Sequence, residues 1–421
     1  MTGAELSIHF FLQMAVIIAS CYAVGRFGQR YLGQPQVVGE MIAGVLLGPS
    51  LFGAIAPELQ AMLFPPDSKA VLYVGAQLGV GLYMFLVGLE FDRSAFKANA
   101  RGAALISFAG MAAPFAAAAL LVPWMMGVDG LFAPGVNGAQ AVLFLGSAIA
   151  ITAFPMLARI IHERGISGTV LGALSLAAGA IGDAGAWAVI AIVLASLGDG
   201  PMVAVLAIGG GLSFAVLMVL VAPKLLARLG DAATRDEAGE SGGVGHGLLA
   251  LVLILYLLCA FAMDAIGMHA VFGGFLLGTA MPRGALARDL RAKLEPFTTI
   301  FLLPMFFTYS GLNTQLFSFV RWDLLAITAA VLAASILAKG GASYVAARVA
   351  GQDHGSAMGI GALMNARGLM ELIIINIGLQ RGIIGPALFA MLVLMAIVTT
   401  LLASPLFEAF YGKAARARGE I

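Results

Sequence analysis

The 421-residue sequence predicts an all-α polytopic membrane protein. Three observations carry that prediction. Hydrophobic residues make up 61% of the chain and charged residues only 11%, against roughly 25% charged in an ordinary soluble domain. Apolar runs of roughly 20 residues, the length that crosses a bilayer as a helix, recur along the whole chain. The basic residues fall in short connections that alternate between two sides of a membrane.

Thirteen spans follow, at about residues 6–25, 36–53, 71–91, 102–126, 138–161, 167–197, 201–228, 247–266, 268–282, 296–312, 323–347, 356–379 and 384–411. The apolar run from Ile8 has no positive segment before it and meets no clear cleavage site, so it reads as a mature helix. The second and third spans carry glycine-rich runs, the fifth contains Pro155, and the sixth contains Asp183. The seventh and eighth flank a polar stretch, Gly230 to Gly245, which reads as a cytoplasmic linker over about 229–246. The ninth is short and begins at His269, an interfacial position. The methionine-rich tenth and thirteenth read as packing helices. The eleventh holds Lys339, and the twelfth holds Asn365, Arg367 and Glu371.

The loops test this count. With the N-terminus outside, the 23 basic residues lie on the inside except Lys69, Arg321 and Arg381 in outside loops and Lys339 and Arg367 within spans. One missed or extra span would scramble the pattern. The expected arrangement is a multi-pass protein of the inner or plasma membrane, N-terminus outside and C-terminus cytoplasmic, forming one transmembrane domain over 1–421.

Several function classes drop out. A net charge of +1 gives no pull on nucleic acid. Cys21 and Cys259 lie in apolar runs without a disulfide or CxxC pattern, and the five histidines have no zinc spacing. The spans hold no paired catalytic carboxylates, HExxH or Ser/His arrangement, so neither an enzyme nor a cofactor is expected.

Internal echoes point to a transporter. Ala43-Gly44-Val45-Leu46-Leu47-Gly48 resembles Gly273-Gly274-Phe275-Leu276-Leu277-Gly278. Met84-Phe85-Leu86-Val87-Gly88-Leu89 resembles Met305-Phe306-Phe307 with Gly311-Leu312. Both offsets equal seven helices, an odd number that inverts one half against the other. The repeats run over about 36–197 and 268–411. Inverted repeats with discontinuous helices are a transporter architecture. The fifth span is interrupted at Thr152-Ala153-Phe154-Pro155 and the twelfth at Asn365-Ala366-Arg367-Gly368, again seven apart.

An ionisable group at the bilayer centre costs about 3 kcal/mol or more, so each one is a functional suspect. Asp183 stands mid-span among small residues, Gly179 to Ala186, with no local partner. Such a carboxylate can exchange a proton for a cation. Lys339 suits either a counter-charge for Asp183 or a proton-releasing partner. Arg367 and Glu371, four apart, are placed to pair on one helix face and brace the break. Thr152 and Asn365 offer neutral oxygens suited to a hard cation. Glu40 and Glu90 stand at span ends, where an access funnel would open.

Ala148-Ile149-Ala150-Ile151-Thr152-Ala153-Phe154-Pro155-Met156-Leu157-Ala158-Arg159 resembles the fifth-helix signature of the monovalent cation:proton antiporter-2 family. So do Gly39-Glu40 with Ala43 to Ser50, and Phe85 to Glu90. Met364 to Leu372 resembles the plant cation/proton exchanger branch and its bacterial relatives. The resemblance covers about residues 10 to 405. It implies a sodium/proton antiporter-like fold with two crossed broken helices, a core moving against a dimerisation domain, and a homodimer. It implies that Asp183 is the transport aspartate, that Lys339 pairs with a transport carboxylate, and that Thr152, Phe154, Pro155 and Asn365 build the crossover. One departure stands out: where electrogenic members carry two adjacent acids, this chain has Gly182-Asp183.

The expected activity is therefore Na⁺ or K⁺ exchange for protons through one buried aspartate. Electroneutral and electrogenic exchange both remain open. A channel or uniporter requires a continuous polar pathway, which the spans lack. An organic anion carrier would use Arg367, which Glu371 opposes.

Overall fold

In a computed structural model, residues 2–91, 93–194, 200–238, 244–313, 322–367 and 369–417 are described. Every regular element among them is helical. Apart from the short Pro57–Leu63, in chain order these are α1 (Gly3–Leu32), α2 (Gln36–Ile55), α3 (Pro66–Glu90), α4 (Arg93–Met125), α5 (Gly138–Ala150), α6 (Phe154–Glu163) and α7 (Val170–Leu194). The second half follows with α8 (Pro201–Gly230), α9 (His246–Ala265), α10 (Ala270–Ala280), α11 (Ala285–Phe297), α12 (Leu303–Leu312), α13 (Leu324–Val349), α14 (His354–Met364), α15 (Leu369–Gln380) and α16 (Pro386–Gly412).

Nine helices among the described residues are long and apolar enough to cross a membrane. The other four predicted spans are the broken pairs α5/α6 and α14/α15, the short α10, and the stretch through α12. All thirteen thus occur in the predicted order. About half of the polar stretch after Gly230 continues as helix through Ala238, where alanine, glutamate and arginine favour it. Residues 239–243, Arg321, Gly368 and Arg418 lie outside the described residues.

The chain divides into two compact units, Met1–Ile18 with Pro65–Arg93 and Leu194–Tyr309, and Ala19–Phe64 with Ser94–Val193 and Ser310–Ile421. Each contains one crossing built by the glycine echoes. In the first, a Cβ on Gly88 or Gly278 would strike the facing helix backbone, α10 or α3. In the second, a Cβ on Gly311 would strike the backbone at Gly44, and one on Gly48 would strike Gly311. The motif of the second span meets that of the tenth, and the motif of the third meets that of the ninth. The partners exchange under the seven-helix offset, as inverted repeats require.

Local signals start the half-helices. Asn137 and Gln140 form a reciprocal capping box at α5 (3.0 and 3.1 Å). Pro155 falls in the first turn of α6, where a missing N–H costs nothing, so the break itself lies at 151–153. Asp353 caps α14 by accepting from the Ser356 N–H at 3.0 Å. His269 is buried and caps α10, its Nδ1 accepting from the Val271 N–H at 3.3 Å.

Candidate functional site

Within the second unit the two breaks meet. Ile151 and Ala153 are extended, so α5 ends with its last carbonyls pointing into protein rather than into a further turn. The second break meets them: Ala153 N–H donates to the Ala366 carbonyl at 3.1 Å, and Thr152 Oγ1 donates to the Met364 carbonyl at 3.3 Å.

Two buried cations close the end of α5. Arg367 donates through Nη1 to the Ala148 carbonyl (2.7 Å) and through Nη2 to the Ile149 carbonyl (2.5 Å). Lys339 Nζ donates to the Ala150 carbonyl. Cations at a helix C-terminus answer both the orphan carbonyls and the negative end of the helix dipole. Lys339 lies in a π-helical stretch, Ser335–Gly341, whose Gly340 packs against Asn365 at the second break and Gly361 of α14. Asn365 Nδ2 donates to the Gly361 carbonyl at 3.1 Å.

Arg367 also pairs with Glu371 at 3.1 Å, both fully buried and one turn apart as their spacing predicts. Thr400 of α16 supports the arginine: its Oγ1 accepts from the Arg367 N–H at 3.0 Å and lies 2.6 Å from the Arg367 carbonyl.

Asp183 is different. It is 0% exposed, and neither carboxylate oxygen has a hydrogen-bond partner among the described residues. Its helix lies on the start of α6: a Cβ on Gly179, one turn before, would sit 2.7 Å from Leu157 Cδ2 and 3.7 Å from Phe154 Cδ2. Lys339 acts on Asp183 electrostatically, and Arg367 and Glu371 act on Lys339. The centre thus holds two acids and two bases, and Asp183 is the one without a hydrogen-bonded partner.

Of the remaining predicted residues, Glu40 is 2% exposed rather than at an open surface. Its Oε1 accepts from Gln36 Nε2 at 2.9 Å. Beside it, Glu163 accepts from the Gln36 N–H at 2.6 Å and pairs with Arg159 at 2.6 Å, tying the N-terminus of α2 to the end of α6. Glu90 belongs to the other unit and pairs with Arg291 while partly exposed. Thr400 and Glu163 gave no signal in the sequence. A threonine in a helix usually returns its hydroxyl to its own backbone, and a glutamate at a helix end is usually solvated.

A family model described as "Sodium/hydrogen exchanger, transmembrane" matches residues 15–410. A Na(+)/H(+) antiporter of Synechocystis sp. is 37% identical over 94% of this chain and 95% of its own length. Cation/H(+) antiporter 18 of Arabidopsis thaliana is 34% identical over 97% of this chain, and K(+)/H(+) antiporter 1 of Saccharomyces cerevisiae is 30% identical over 96%. This chain spans 50% and 46% of those two proteins. The solved structure of the sodium proton antiporter MjNhaP1 from Methanocaldococcus jannaschii superposes with a TM-score of 0.62, covering 96% of this chain and 97% of that one at 14% identity. At that identity the likeness speaks for the fold alone.

Proposed function

The chain belongs to the sodium/hydrogen exchanger family, and from that premise we propose that it exchanges a monovalent cation, Na⁺ or K⁺, for a proton at Asp183. The observation that carries this reading is the buried carboxylate whose two oxygens have no hydrogen-bond partner among the described residues. A bare charge there is costly. A proton removes the charge, and a cation compensates it. Either occupied form crosses between two access states at low cost, whereas the empty, charged form is trapped, so the site exchanges rather than leaks.

Lys339 Nζ donates to the Ala150 carbonyl, and in this reading it serves as a fixed counter-charge that keeps its proton through the cycle. One acid trading one proton for one cation gives electroneutral 1:1 exchange. Thr152 and Asn365 border the cation's place, Arg367 and Glu371 brace the crossover with Phe154 and Pro155, and Glu40 lines an approach to it. The same reading gives one transporter domain with repeats over 36–197 and 268–411, working as a homodimer in a cell membrane. Its N-terminus is outside and its C-terminus in the cytoplasm, in line with the basic loops.

The test is a pH-gradient dye assay in everted vesicles, adding Na⁺, K⁺ and Li⁺ in turn. Wild type dissipates the gradient on cation addition, and Asp183→Asn does not. Dissipation that survives in Asp183→Asn refutes the assignment. In liposomes, the 1:1 reading predicts the same rate with the voltage clamped or free.

A further inference from the structure

Asp183 follows a residue with no side chain, and a hydroxyl from another helix fills that room. A Cβ built on Gly182 would lie 3.3 Å from Ser107 Oγ of α4. Ser107 is 5% exposed, and its hydroxyl has no hydrogen-bond partner among the described residues. That is unusual, because a serine within a helix ordinarily returns its hydroxyl to the carbonyl one turn back. A second such hydroxyl stands close by. Ser343 Oγ of α13 lies 3.0 Å from where a Cβ on Gly110 would sit, one turn along α4 from Ser107. It is fully buried and also without a partner among the described residues, and it lies one turn beyond Lys339. Gly182, Gly185 and Gly110 keep α4 close to both α7 and α13, since each Cβ would meet Ser107, Met111 or Ser343. The helices packed beside Asp183 therefore hold two hydroxyls without hydrogen-bond partners among the described residues, Ser107 on α4 and Ser343 on α13. A buried hydroxyl without a partner is costly, and a bound ion removes that cost.

We propose that the Ser107 hydroxyl is an oxygen ligand of the transported cation, standing in from α4 for the side chain absent at Gly182. The proposal rests on the antiport reading. A hydroxyl suits both states of the site. It turns a lone pair to a hard cation when Asp183 is deprotonated, and it hydrogen-bonds the carboxyl when the proton returns. It also adds no charge, so a second oxygen ligand is gained without a second titrating acid.

The experiment measures cation-dependent proton flux in proteoliposomes, separating half-saturating cation concentration from maximal rate. Ser107→Ala should raise the half-saturating concentration about tenfold, as for loss of one ligand, and leave the maximal rate within about twofold. Adding Gly182→Asn, whose amide oxygen enters the same space, should recover most of that affinity. A purely structural serine would predict no such recovery. Ser107→Cys keeps the volume but offers a poor ligand for a hard cation, and it should behave as Ser107→Ala if the alanine variant folds badly. In purified protein, stabilisation against heat by added Na⁺ should fall with the same variants. Unchanged half-saturation in Ser107→Ala or Ser107→Cys overturns the proposal, as does a folded double variant with no recovery. Surviving exchange in Asp183→Asn instead sinks the antiport reading itself.

Discussion

Two carboxylates in the same unit, Asp183 and Glu371, are equally buried and differently treated. Glu371 has Arg367 one turn away, and that arginine is fixed by two carbonyls of α5 and by Thr400. Asp183 has small neighbours and no hydrogen-bond partner among the described residues. The first acid is neutralised by the fold. In the proposed exchange the second is left for a proton or a cation. The two acids thus differ in their fixed partners, not in their burial.

The contrast is sharpest under substitution. Asp183→Asn should abolish cation-dependent proton movement while leaving folding intact, because neither carboxylate oxygen makes a hydrogen bond among the described residues that the substitution would break. Flux in vesicles, with thermal unfolding of the purified variant, measures both. The opposite pattern belongs to the bracing pair. Arg367→Met leaves Glu371 buried and unpaired and frees two carbonyls, a loss of about 3–5 kcal/mol seen as collapse of folded protein in detergent. Adding Glu371→Leu should recover part of that loss, since replacing both partners of a buried pair is often neutral. If Arg367→Met folds normally, the pair is not a brace and the comparison fails.

Smaller effects test the supports. Thr400→Val should cost about 1 kcal/mol by leaving the Arg367 N–H without its acceptor, read as a lowered unfolding temperature. Glu163→Gln should cost about 0.5 kcal/mol, because it weakens the anionic cap on α2. High salt should narrow that last difference, as expected for a charge near the surface.

The sequence made the centre legible for a physical reason. Charged residues are rare in spans, so Asp183, Lys339, Arg367 and Glu371 stood out, and a proline and an Asn-Ala-Arg-Gly run marked the breaks. The Arg367–Glu371 pair was readable because both partners lie on one helix. What joins distant segments was not readable. Lys339 holds the Ala150 carbonyl, 189 residues away, a pairing that no local pattern announced. Ser107, Ser343 and Thr400 resemble any hydroxyl in a helix until neighbours are known. Glu40 sits where a solvated acid is expected, yet the crossing of Gly25 and Gly39 brings α1 against α2 and buries it.

The most direct measurement is proton release by purified protein in weakly buffered detergent solution when Na⁺ or K⁺ is added. The account predicts about one proton released per cation bound, and none from Asp183→Asn, while Glu371→Gln still releases it. Cation binding without proton release in the wild type, or unchanged release from Asp183→Asn, would contradict the claim that one carboxylate serves both ions.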